Sequence, residues 1–144
     1  MHPDYLKAHA LSSKVIGAAI EVHRHKGPGL IESIYERCLI RELELQDISA
    51  TNQLRVEIEY KGLVFAEPLR LDVYVERCLI VENKVVEQIL PVHKAQLLSY
   101  MKLLNAPIGL LINYHEPILK NGIVRLILEG ADCRWVFAIF AFFV

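Results

Sequence analysis

Apolar residues in the first third of the chain recur with the period of a helix. From residue 4 to residue 26 they are spaced by three and four positions, which predicts one long helix with Asp4 at its N-cap. The following Gly-Pro-Gly, residues 27–29, ends this helix because proline cannot continue a helix and glycine tolerates the reversal of the chain. A second amphipathic helix is predicted from about residue 31 to residue 46.

The pattern changes from helical to alternating after residue 47. Apolar and charged residues alternate from residue 55 to residue 60, as in a half-buried strand, and Lys61 and Gly62 predict a turn into a partner strand. Two further β-type runs follow, at residues 69–76 and 79–84. In the first run, alternation places on one face the apolar residues Leu69, Leu71, Val73 and Val75.

The last third of the chain returns to a helix and then to strands. A helix is predicted over residues 92–104, a nearly continuous apolar strand over 108–114, and an edge strand over 123–128. This order of elements predicts the α/β class, with a mixed sheet flanked by helices. The 144 residues fit a single domain, which we expect to cover residues 1–130 and to leave an apolar tail at 131–144.

Two acids and a lysine lie on the pair of β-type runs near the middle of the chain. Asp72 lies on the first run, and Glu82 and Lys84 share one face of the second, with Asn83 turned the other way. A two-residue turn would place Asp72 opposite Asn83, whereas a three-residue connection or a bulge brings Asp72 to Glu82. We prefer the second register because the turn lacks the Asn-Gly or Asp-Gly pair typical of tight hairpins.

Paired carboxylates beside a lysine suit phosphodiester hydrolysis. Asp72 and Glu82 can hold Mg²⁺ or Mn²⁺, Lys84 can stabilise transition-state charge, and Glu32 of the second helix can complete the metal ligands. The alternative is a set of solvated strand residues in cross-strand ion pairs. On the third helix, Gln96 and Tyr100 share a face at four-residue spacing, which is also typical of boundary residues without a site role.

Charge and cysteine content limit the partners and the compartment. The net charge of −1 provides no broad basic surface for nucleic acid, although a local groove or a bound cation can still attract phosphate. Three widely spaced cysteines favour a reducing compartment, so we expect a cytoplasmic protein. The apolar run at residues 135–144 is too short for a membrane-spanning helix, which favours packing in the core or at a homodimer interface over a membrane anchor.

Several short motifs, taken in order, resemble one known family. They are GLIESIYE (residues 29–36), RLDVYV (70–75), IVENK (80–84), HKAQLLSY (93–100) and GLLINY (109–114). Together they are similar to the GxxExxY proteins, which are assigned to the PD-(D/E)XK nuclease-like superfamily. The similarity extends over about residues 6–127. One departure is Asn83, where the family usually has an aliphatic residue, so a polar amide is expected in the core.

The resemblance implies a restriction-endonuclease-like core and a metal-dependent nuclease acting on DNA or RNA. It implies that Asp72 and Glu82 bind Mg²⁺ or Mn²⁺ and that Lys84 is the catalytic lysine. Glu32 would be an accessory acid at the metal, and Gln96 with Tyr100 would form a QxxxY element beside the site. The same fold can also serve as a catalytically inactive binding or assembly module, with a protein partner that supplies basic surface.

Overall fold

The computed structural model of the chain describes residues 1–67 and 69–132. The apolar run at residues 135–144, for which we predicted core or homodimer packing, lies outside the described residues. No helix in the described part of the chain is long and apolar enough to cross a membrane.

The described residues form three α-helices and seven strands, joined by loops. The helices are α1 (Tyr5–Lys26), α2 (Glu32–Leu45) and α3 (Pro91–Leu104), and a short 3-10 helix spans Leu119–Gly122. The strands are β1 (Ala50–Val56), β2 (Glu59–Tyr60), β3 (Leu63–Val64), β4 (Leu69–Val75), β5 (Leu79–Lys84), β6 (Ile108–Asn113) and β7 (Ile123–Ile127).

Five of these strands form one mixed sheet in the order β1-β4-β5-β6-β7. Strands β5 and β6 are parallel, whereas the other neighbouring pairs are antiparallel. Strands β2 and β3 form a separate hairpin, whose turn residues Lys61 and Gly62 both have positive φ, at 46° and 87°. The predicted α/β class with a mixed sheet between helices is therefore confirmed.

The sheet separates two apolar clusters. Helices α1 and α2 cover one face, where the side chains of Leu79 and Val81 point from β5. Helix α3 covers the other face, where Ile80 of the same strand packs. This alternation along β5 follows from the period of two in a strand, and it places Glu82 on the α3 side because Glu82 lies two residues after Ile80.

The strict alternation predicted for β4 is wrong. Leu69 and Leu71 pack on the α3 side of the sheet, whereas Val73 and Val75 pack against α1 and α2. The change coincides with an irregularity in the neighbouring strand, where Gln53 has a φ of 52° and the β1–β4 pairing is interrupted opposite Asp72. On either side of this point, the apolar side chains of β4 pack on opposite faces of the sheet.

The boundaries of most elements agree with prediction, but the strand after α2 does not. It starts at Ala50 and ends at Val56, whereas the alternating pattern predicted residues 55–60. Within α2, the packed apolar side chains are Tyr35, Leu39 and Leu43, which lie four residues apart on one face of the helix.

Close packing determines where α3 lies on the sheet. A Cβ atom added to Gly109 of β6 would come within 2.7 Å of the Met101 sulfur and 2.9 Å of a Leu97 methyl carbon. Glycine is therefore required for helix and strand to approach this closely. The consequence is that Tyr100, on the same helix, packs in the apolar cluster on this face of the sheet.

The amide of Asn83 is buried in the core, as predicted. The side chain is 0% exposed, and neither its nitrogen nor its oxygen has a hydrogen-bond partner among the described residues. On the same side, Val81 of β5 belongs to the cluster beneath α1 and α2, and Val85, just after the strand, packs against that cluster. An unpaired buried amide lowers stability because the desolvated polar atoms lose their hydrogen bonds to water.

Replacing Asn83 with valine is expected to stabilise the fold. The change removes two unpaired polar atoms and keeps the backbone N–H of residue 83, so we expect a gain of about 1–3 kcal/mol in the free energy of unfolding. Thermal and urea denaturation of wild type and Asn83→Val measure this change. A lower melting temperature for the variant would show that the amide has a partner in the native protein.

Candidate active site

The β4–β5 hairpin has the register that brings the two acids together. Val73 pairs with Val81, and Val75 pairs with Leu79, so three residues connect the strands. The first two of them, Glu76 and Arg77, have positive φ angles of 48° and 58°. The predicted three-residue connection is thus confirmed, and Asp72 lies across from Glu82.

Where backbone pairing between β4 and β5 ends, the two carboxylates accept hydrogen bonds from the backbone of the opposite strand. The backbone N–H of Asp72 donates a hydrogen bond to Glu82 Oε1 at 3.2 Å. In return, the backbone N–H of Asn83 donates to Asp72 Oδ2 at 2.9 Å. Each acid is therefore anchored by one oxygen to the opposite strand, which holds the two carboxylates close together.

Glu82 is the most strongly perturbed acid of this group. Its side chain is 4% exposed, and burial raises its pKa to about 8, assisted by the negative charge of Asp72. The charge of Lys84, two residues along the same strand, acts in the opposite direction. The carboxylate pair thus carries unfavourable charge that Lys84 offsets in part, as expected at a cation-binding site.

Helix α2 adds two more acids next to Asp72. Glu32 and Glu36 lie one turn apart on α2 and, with Ser33, Gln53 and Asp72, line a cavity of about 280 Å³. Burial, followed by the charge of Asp72, raises the pKa of Glu32. Glu36 is almost fully buried, and burial raises its pKa, while the Gln53 side chain opposes this shift by donating a hydrogen bond to Glu36 at 2.7 Å.

Sequence reasoning assigned no site role to Glu36 or Gln53. The four-residue spacing of Glu32 and Glu36 on a helix is a signal that could have found Glu36. Gln53 gave no such signal, because its contact with Glu36 depends on the irregular backbone of β1.

Helix α3 brings Tyr100 to the other side of the acids. Tyr100 is buried, and its hydroxyl accepts a hydrogen bond from the Gln96 amide at 2.9 Å. Burial raises the pKa of Tyr100, and so do the charges of Glu82 and Asp72. The predicted site residues Glu32, Asp72, Glu82, Lys84, Gln96 and Tyr100 are thus gathered around the point where β4 and β5 separate.

The family follows from a match that covers most of the chain. The model of the PD-(D/E)XK nuclease superfamily matches residues 9–126. The chain belongs to the PD-(D/E)XK nuclease superfamily. As a member, this PD-(D/E)XK protein has the expected restriction-endonuclease-like core of a mixed sheet flanked by helices.

A solved structure titled "Crystal structure of SSO0001" is similar to this PD-(D/E)XK protein at 25% sequence identity and a TM-score of 0.46. The match covers 65% of this chain and 47% of that chain, so this protein spans about half the length of the solved one. No curated protein matches the sequence.

The donor set of this PD-(D/E)XK protein fits a hard divalent cation. Within residues 1–67 and 69–132, no three His, Cys, Asp or Glu side chains are grouped to hold an ion by themselves. Mg²⁺ does not need three, because it keeps several waters and is commonly bound through one or two carboxylates together with substrate phosphates. Asp72 and Glu82 meet that requirement, and Glu32 as a third ligand stays a prediction.

Proposed function

We propose that this PD-(D/E)XK protein is a divalent-metal-dependent nuclease of the GxxExxY group, which hydrolyses phosphodiester bonds of DNA or RNA. The observation that carries the proposal is the pair of reciprocal hydrogen bonds that holds the Asp72 and Glu82 carboxylates together. Burial and the charge of Asp72 raise the pKa of Glu82 to about 8, so the ionised pair is unfavourable without a cation. A bound cation would stabilise both carboxylates, which supports a cation site.

The residues around the acids have distinct roles in the proposed reaction. Asp72 and Glu82 hold Mg²⁺ or Mn²⁺, with Glu32 as an accessory acid. When bound, the cation supplies a Lewis acid for the phosphoryl oxygen and lowers the pKa of a coordinated water. Lys84 shares a face of β5 with Glu82, and its positive charge opposes the rise in the pKa of both Glu82 and Glu32. From there its ammonium group orients the attacking water or stabilises the charge of the transition state.

Gln96 and Tyr100 complete the proposed site from α3. The Tyr100 hydroxyl is protonated at neutral pH, because its ordinary pKa is 10 and burial raises the pKa further, so it can donate a hydrogen bond. The Gln96 amide donates a hydrogen bond to the Tyr100 hydroxyl, which fixes the amide at the exposed side of the site. There it orients substrate or water.

The test is a cleavage assay on single-stranded, double-stranded and branched DNA and RNA. We expect cleavage of at least one substrate with Mg²⁺ or Mn²⁺ and none with EDTA, because the cation supplies both the Lewis acid and the activated water. Lys84→Ala, purified in the same way, is the control for contaminating nucleases. Cleavage that persists in EDTA or in Lys84→Ala would contradict the proposal, and absence of both cleavage and metal binding would favour a binding or assembly module.

A further inference from the structure

Two arginines face each other directly across the outer strands of the sheet. Arg55 of β1 pairs with Arg70 of β4 in the antiparallel register, and both side chains are exposed. Directly opposed residues of an antiparallel pair lie on the same face with their Cβ atoms about 5 Å apart, and like charges in this position are destabilising. In a chain with a net charge of −1, this pairing concentrates positive charge at one place.

The arginine pair lies on the face of the sheet that α2 covers, where Glu36 of α2 also lies. The neighbours of the two arginines, Leu54 and Leu71, pack into the cluster beneath α3, so Arg55 and Arg70 point away from α3. Gln53, two residues before Arg55, reaches Glu36 of α2 on that same side. Along β4, Arg70 is also two residues from Asp72, about 7 Å along the strand.

No acidic side chain in the described part of the chain neutralises these arginines. The ion pairs among residues 1–67 and 69–132 are formed by Lys7, Arg24, His25 and Arg41. Glu57 follows Arg55 by two positions but lies beyond the end of β1 and forms no ion pair with it. Within residues 1–67 and 69–132 no acid offsets the repulsion between the arginines, so binding an external anion would relieve it.

We propose that Arg55 and Arg70 bind the phosphodiester backbone of the nucleic acid and hold it beside Asp72, on the side of the sheet where Asp72 lines a cavity with Glu32 and Glu36 of α2. The inference rests on the proposed function, which makes a nucleic acid the substrate. Guanidinium groups match phosphate oxygens with two parallel hydrogen bonds, and two of them side by side can bracket one backbone. The acids of the site repel phosphate, so positive charge adjacent to them is needed to bring the backbone close.

The test measures binding separately from cleavage. Wild type, Arg55→Gln and Arg70→Gln are titrated in EDTA against a fluorescent oligonucleotide, single-stranded and duplex, at several salt concentrations. Each variant is expected to bind more weakly, with the slope of log affinity against log salt reduced by about 0.9 on duplex or 0.7 on single strands. Arg70→Lys is expected to keep the slope because it keeps the charge. Lys14→Gln, an exposed lysine on α1, is the matched control and is expected to bind as wild type.

Thermal denaturation at low salt separates binding from a structural role. Removing one of two opposed charges relieves repulsion, so each glutamine variant is expected to melt at or above the wild-type temperature. Wild-type binding and salt slope in both glutamine variants would overturn the proposal, as would a variant that melts well below wild type. If wild type cleaves while the arginine variants bind normally, the nuclease function stands without this pair. If wild type does not cleave but binds through the arginines, the pair stands and the nuclease function fails.

Discussion

Lys84→Ala is expected to bind a divalent cation like the wild type and to cleave its substrate about 10²-fold more slowly or worse. The reason is the chemistry of the ammonium group, which shares a face of β5 with Glu82 but has no lone pair with which to ligate a cation. A charge positioned for the transition state contributes to turnover and not to the binding of the ground state. Titration calorimetry with Mn²⁺ and single-turnover cleavage measure the two quantities.

Gln96→Ala is the comparison for this result. Gln96 is exposed and joined to the site through Tyr100, so its loss is expected to lower the rate less than the loss of Lys84. Metal affinity lost together with rate in Lys84→Ala would show that the lysine organises the carboxylates. A rate equal to that of wild type would place the chemistry elsewhere.

Glu82→Gln is expected to abolish metal binding and cleavage while stabilising the metal-free protein at pH 8. Glutamine keeps the oxygen that accepts the Asp72 N–H but removes a buried charge beside Asp72. The folded-state pKa of about 8 lies above the ordinary value of 4.5, so folding favours the protonated acid. As the pH rises from 4.5 to about 8, Glu82 ionises in the unfolded protein while burial keeps it protonated in the folded protein. The wild type therefore loses stability, on the order of several kcal/mol, and the variant does not.

Melting temperatures of wild type and Glu82→Gln, measured in EDTA at several pH values, test the direction in which stability changes with pH. The two proteins should converge below pH 4.5 and separate as the pH approaches 8. A Glu82→Gln protein that melts below wild type at pH 8 would mean that the carboxylate is already neutralised by a partner.

Asp72→Ala is expected to lose metal affinity and activity together, as is Glu82→Ala.

The sequence by itself determined the order and type of the elements. Helical periodicity, the Gly-Pro-Gly break at residues 27–29 and the Lys61–Gly62 turn are local signals, so they identified α1, α2, α3 and the β2–β3 hairpin. It also determined that Glu82 and Lys84 share a face of β5, because that depends on strand alternation alone. Local reasoning about turn residues also predicted a three-residue connection or a bulge between β4 and β5, and the pairing of these strands confirms the three-residue connection.

The tertiary structure decided what the strands do at the site. Alternation failed in β4 at Asp72, where pairing with Gln53 of another strand is interrupted, and a strand's own pattern carries no information about such an interruption. The contact between Gln53 and Glu36 arises for the same reason. The raised pKa of Glu82 likewise needed the whole fold, because burial and the charge of Asp72 come from residues distant in sequence that packing brings together.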